Sequence, residues 1–234
     1  MNGIVGQAGG GSLHSDSRGT VTAVCATHAV LDFGGRLGPT GIDKRAVVGP
    51  VTVGPLGIDG DTIIDGRFHG GLDQAVYAYG DSDADVWVAE LARDLTPGAF
   101  GENLRIGGMA VSDAVIGERW QLGEPGLGPL LEVTSPRTPC AKFQRHTGQA
   151  HWVKRFTQVG LTGAYLRVIE PGRVSAGDVV EVVSRPEHGV TVRRWFTGRD
   201  PADAAALLAA HEAGEIRLQE AFRPEIAKAL ARAG

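Results

Sequence analysis

GERWQLGEPGLGPLLEVT, residues 117–134, holds two short apolar runs, RWQL and LLEVT, separated by glycines and prolines. Runs this short read as strands rather than helices, and the residues between them are those that turn a chain tightly. Gly117-Glu118 stands at the entrance of the first run and reads as a further turn. The unit recurs. VTAVCATHAV (21–30), AVVGPVTV (46–53), AVYAY (75–79), NLRI (103–106), GAYLRVIE (163–170) and DVVEVV (178–183) are all β-branched or aromatic-rich. GIDGD (57–61) predicts a tight turn, and Gly49-Pro50 predicts a bulge or an edge position within 46–53. Many short strands with such turns predict a sandwich or a barrel.

Helical spacing interrupts the pattern. DSDADVWVAELARDL (81–95) offers Asp81 or Ser82 as N-cap, followed by Val86, Trp87, Glu90 and Leu91. AKFQRH (141–146) and AHWVKRF (150–156) read as helices broken at Gly148. After Ser184 the strand signal stops. RPEHG (185–189) reads as a linker, and Asp200-Pro201 as an N-cap with proline in the first turn. Leu218, Phe222, Ile226 and Leu230 continue a four-residue spacing across Pro224, which divides the last segment into two helices. The expected organisation is a flexible tail over 1–19, a β domain over 20–184 and a small helical domain over 190–234. Such short helices need a surface to cover, either the β domain or a second copy of the chain in a homodimer.

The 234 residues carry a net charge of −4, so no global field draws them to nucleic acid or membranes. No stretch approaches the roughly 20 apolar residues of a membrane span. The first residues lack the basic and apolar regions of a secretory signal, so a soluble cytoplasmic protein is expected. Two cysteines are too few for a disulfide framework.

One of them, Cys140, lies in PRTPCAKF (136–143) at a predicted strand-to-helix junction. Thr138 precedes a proline and is pushed toward extended geometry. Unpaired backbone N–H groups there, with Arg137, Lys142 and Arg145 nearby, favour a thiolate. Cys140 is therefore either a reactive thiol or a buried inert one. Cys25, within an apolar strand, reads as inert. Cys140, His146 and His151 lack the spacing of a zinc site. RFHGGLDQAVYAY (67–79) sets Arg67 and His69 beside glycines that let a ligand approach, or forms a hairpin with a hydrogen-bonded histidine. Glu102 and Asn103 of PGAFGENL (97–104) bind a polar heterocycle or tie down a loop. Lys44 and Arg45 on one strand face opposite sides, so one points inward.

Taken in order, DKR…GP.V, LG.DGD, HGGLD.AVYAY, PG.FGENL, IGERW..G and PR.PC resemble the MOSC family, the domain at the C-terminus of molybdenum cofactor sulfurases. The resemblance runs from about Val21 to Val183. It is closest to bacterial stand-alone members associated with detoxifying N-hydroxylated bases, which also carry a small C-terminal three-helix domain. It implies a mixed, mainly β fold: a MOSC-type β-barrel with flanking helices. Its pocket holds the molybdenum cofactor (molybdopterin), with Cys140 ligating molybdenum or carrying sulfur. Lys44, Arg67, His69, Asn103 and Arg137 stand at the matching cofactor positions. The implied activity is an oxidoreductase that reduces small N-hydroxylated substrates. It needs a separate electron-donor protein, because the chain has no flavin fingerprint and no four-cysteine iron–sulfur set. The alternatives are a sulfur carrier using a Cys140 persulfide without metal, and a cysteine hydrolase with His69 or His146 as base.

Overall fold

The longest strand organises the molecule. β1 (Arg18–Asp32) alternates exposed and buried residues at its start, is buried continuously over Ala23–Ala26, where both faces are covered, and alternates half-buried and exposed residues beyond. In the computed structural model, which describes residues 17–64, 66 and 70–232, β1 is followed by β2 (Pro39–Ala46), β3 (Val51–Gly54), β4 (Gly57–Ile58) and β5 (Val76–Gly80). Then come α1 (Asp81–Leu91), β6 (Leu104–Gly107), β7 (Arg119–Leu122), β8 (Leu130–Pro136), α2 (Ala141–Thr147) and α3 (Trp152–Val159). β9 (Ala164–Glu170), β10 (Gly172–Val174) and β11 (Val179–Ser184) complete the strands, ahead of α4 (Val192–Gly198), α5 (Pro201–Glu212) and α6 (Arg223–Leu230).

β1, β11, β7, β8, β9, β5 and β6 pair in that order and return to β1, closing a barrel. Closure removes the exposed edges that would otherwise template aggregation. Every pair in the ring is antiparallel except β5–β6, which α1 joins by a crossover. β2 extends the sheet along the far half of β1, past register shifts after Thr27 and Ala29. β10, β3 and β4 form a separate small sheet.

The barrel interior is aliphatic, with Val24, Leu104, Ile106, Leu131 and Leu166 all at 1% exposure or less. Aromatic residues are only 6% of the sequence, yet seven of them gather in one cluster under α1, α2 and α3. Trp87 stacks on Phe156 at 5.6 Å, and Phe143 meets Phe156 edge-on at 5.1 Å. This cluster fixes where α2 begins. The C-terminal helices pack on the barrel of the same chain. Val190, Trp195, Leu207 and Phe222 belong to one apolar cluster with Trp120 and Leu131. Backbone bonds from Ile116 N to Val190 O (3.1 Å) and from Val192 N to Ala114 O (2.9 Å) tie the junction.

Most expected strands and helices are present, but β4 lies inside the turn predicted over 57–61, and there are four further differences. Residues 46–53 are not one bulged strand: β2 ends at Ala46, Gly49 takes φ +85°, and β3 starts at Val51. The apolar run misleads because Val48 is fully exposed in the turn. The N-cap of α1 is Gly80, not Asp81 or Ser82, so Asp81 and Asp83 fall in the first turn, where carboxylates suit the helix dipole. Pro224 does not divide two helices. It sits at the start of α6, preceded by a single 3-10 turn over Glu220–Phe222. β10 gave no sequence signal. The expected tail lies largely in residues 1–16, outside the described residues.

The PGAFGENL loop is locked onto β2. Gly98 takes φ +95°, and a Cβ there would stand 2.2 Å from the Lys44 carbonyl oxygen. The fully buried Glu102 carboxylate accepts from Gly98 N (2.8 Å), Phe100 N (2.9 Å) and Arg105 Nε (2.9 Å). Glu102 is thus a structural residue. Glu102→Ala leaves the Arg105 guanidinium buried without its main partner, and urea denaturation should show a loss of about 3–5 kcal/mol. A loss below about 1 kcal/mol, the range of an exposed pair, would contradict this role.

Candidate functional site

A cleft is lined by β2, the segment after β4, the start of β5 and the segment joining β8 to α2. Its floor is built on Asp61. The Oδ2 atom accepts from Lys44 Nζ at 2.6 Å and Asn103 Nδ2 at 2.8 Å. The Oδ1 atom accepts from Thr27 Oγ1 at 2.7 Å and Thr27 N at 3.2 Å. One carboxylate thereby ties the turn after β4 to β1, β2 and the start of β6. Burial pushes the Asp61 carboxyl up, but the Lys44 charge and the hydrogen bonds outweigh it and hold the group below its ordinary 3.8. Burial pulls the Lys44 amine below its ordinary 10.5, against the opposing attraction of Asp61.

Asn103 is committed on both sides of its amide. Its Oδ1 accepts from Tyr77 N (3.1 Å), and its Nδ2 also reaches Cys25 O (3.3 Å). Lys44 and Arg45 do face opposite sides, with side-chain exposures of 11% and 63%.

Arg137 follows the last residue of β8 and is 4% exposed. Its guanidinium carbon lies 3.8 Å from the centre of the Phe143 ring and 5.6 Å from that of Tyr77. No carboxylate among the described residues pairs with it, and its Nη1 is buried without a hydrogen-bond partner. Cys140 is the N-cap of α2, in extended geometry (φ −132°, ψ 171°), and lines the same cleft, half-buried. Phe143, buried in the aromatic cluster, anchors the helix that carries it. Tyr165 lines the cleft from β9; burial pushes its phenol up, opposed by Arg137 and reinforced by Cys140.

These groups form a buried cation, a partly exposed thiol and a neutral phenol around one space. A MOSC domain family model matches residues 65–181, half of the chain. The chain is 36% identical over 200 residues to the uncharacterized protein YflK of Bacillus subtilis, over 85% of this chain and 88% of that one. The chain belongs to the MOSC family. Its fold matches the crystal structure of YiiM from Geobacillus stearothermophilus with a TM-score of 0.70 and 26% identity, over 91% of this chain and 99% of that one. A Gibberella moniliformis protein named a reductase is 32% identical over 148 residues, 62% of this chain. The match spans 26% of that protein's length. MOSC domains are associated with the molybdenum cofactor.

Of the residues singled out in the sequence, this MOSC chain brings Lys44, Asn103, Arg137 and Cys140 to one cleft. Arg67 and His69 lie outside the described residues; their described neighbours Ile64 and Gly70 line the cleft. His146 is not brought to it, and burial pulls that imidazole below its ordinary 6.5. Cys25 is fully buried, and burial pushes its thiol up to about 12, so it stays protonated and inert. Among the described residues no helix is long and apolar enough to cross a membrane. Sequence reading missed Asp61 and Tyr165, which stood inside a predicted turn and a predicted strand.

The Asp61 carboxyl has a folded pKa below its unfolded value. The stability it contributes is present above 3.8 and is lost as pH falls through the folded value. Asp61→Asn should therefore lower stability at neutral pH and flatten its decline as pH falls below 3.8, measured as urea midpoints. An acid limb as steep as that of the unmodified protein would contradict the network.

Proposed function

We propose that the cleft beside Cys140 binds the molybdenum cofactor and that the protein reduces small N-hydroxylated compounds there, with electrons from a separate donor protein. The observation that carries this reading is the buried Arg137 edge left without an acceptor next to the Cys140 thiol. A buried guanidinium without a hydrogen-bond acceptor is unfavourable even when it rests on aromatic rings, and an oxyanion arriving in the cleft would supply one. Guanidinium suits the paired oxygens of a phosphate or an oxo group. A thiolate is a soft donor matched to a thiophilic metal, so the residues present fit the group.

In this reading Cys140 would hold the metal, and Arg137 would meet the cofactor's anionic part. The Lys44–Asp61 pair, held by Asn103, fixes the cleft wall, while Arg67 and His69 are further contacts on the strength of their motif. When bound, the cofactor supplies the two-electron chemistry. The overall conversion of a hydroxylamine to an amine consumes two electrons and two protons and releases water. Tyr165 Oη, kept protonated by burial, offers a hydrogen-bond donor in the same space.

Protein from a molybdenum-competent host should contain molybdenum and pterin and should reduce a hydroxylamino base with an artificial electron donor. Cys140→Ser should abolish turnover, whereas Cys25→Ser should alter stability alone. Arg137→Met should lower cofactor occupancy while the cofactor-free protein melts no lower than its parent, because an unsatisfied buried cation has gone. Metal-free protein bearing a Cys140 persulfide would instead establish the sulfur-carrier reading.

A further inference from the structure

The hairpin of α2 and α3 is charged in one sense only. Residues 141–160 hold Lys142, Arg145, Lys154 and Arg155 and neither aspartate nor glutamate. They contribute +4 to a chain of net −4, so the residues outside them carry −8, which is −4 minus +4. Arg155 is met by Glu90 of α1, with Nε donating to Oε1 at 3.0 Å. Lys142 lines the cleft and donates to Pro39 O at 3.1 Å. Arg145 and Lys154 are exposed, and neither forms an ion pair with a carboxylate among the described residues. Val153 N donates to Gln144 Oε1 at 3.3 Å, so the sequence neighbours of these two cations are joined across the hairpin.

This face stands beside Cys140. The cysteine caps α2, and Arg145 follows it by a helical rise of roughly 7–8 Å. Neither Arg145 nor Lys154 lines the cleft itself. On the wall built by the segment after β4, Ile63 and Ile64 line the cleft and are exposed. An exposed apolar edge with a rim of one charge sign matches the anatomy of a protein interface, where rim charges steer the encounter. Cations placed outside the cleft select what lies across its mouth, not what enters it.

We propose that the α2–α3 face is the docking surface for the electron donor and that this donor is an acidic redox protein. The proposal rests on the proposed function for its need of electrons. The donor gives up two electrons per turnover, which with two protons convert a hydroxylamine into an amine and water. A folded donor cannot enter the cleft, so it presents its redox group at the mouth, where the hairpin offers the complementary charge. A long polyanion such as RNA fits less well, because beyond the hairpin it meets the acidic remainder of the chain.

The test titrates a flavodoxin and a plant-type ferredoxin, both acidic, into the full-length protein by calorimetry at low and at high salt. Binding of at least one should weaken as salt rises. Arg145→Glu combined with Lys154→Glu should weaken it by at least about tenfold at low salt. The neutral pair Arg145→Gln and Lys154→Gln should weaken it by an intermediate factor. Melting temperature, molybdenum content and turnover with dithionite as donor should not change, since both side chains are in solvent and outside the cleft. Failure of the parent protein to bind either carrier, or equal binding by the charge-reversed protein, would overturn the surface. So would tighter binding of a short RNA than of either carrier, or a parent dimer that the reversal dissociates. Salt-dependent carrier binding that responds to both variants, in a parent protein devoid of molybdenum, would uphold the surface and refute the proposed function.

Discussion

The Asp61 carboxylate is the point on which the cleft depends. Four donors from Thr27, Lys44 and Asn103 converge on it; Thr27 and Lys44 belong to β1 and β2, and Asn103 directly precedes β6. The turn after β4 would otherwise lie loosely over the sheet. Pinned in this way, it becomes a wall, and the Lys44 ammonium is held against that wall instead of extending into solvent. Asn103 is in turn gripped by the backbones of Tyr77 and Cys25, so the network reaches the barrel itself.

The opposite wall is set by packing. Phe143 and its aromatic neighbours hold α2 against the barrel, and the Arg137 guanidinium lies on the Phe143 ring. This burial leaves one guanidinium edge unsatisfied within the protein. In the proposed function, that edge is where the cofactor's anionic part would bind. Cys140 takes its place from the same helix, so thiol and cation are positioned by one structural element.

The barrel was legible in the sequence because its strands alternate and its turns carry glycine and proline. Residues 46–53 misled because apolar composition was read as burial, although Val48 is in the open. The difference in burial between the two cysteines was legible for a simple reason: Cys25 sits within an alternating apolar strand, while Cys140 sits at a junction. Asp61 was invisible as a site residue because its partners lie 17, 34 and 42 residues away in the chain. No local pattern marks such a contact. Tyr165 was hidden in the same manner, since its strand pattern says nothing about which face meets Arg137.

The proposed function requires Cys140 to be the protein's own ligand to a molybdenum cofactor. X-ray absorption at the molybdenum edge, on the full chain and on Cys140→Ser, tests it most directly. The account predicts that the variant's metal shell loses one sulfur and gains a lighter atom. An unchanged sulfur shell in a variant that still holds molybdenum would contradict it.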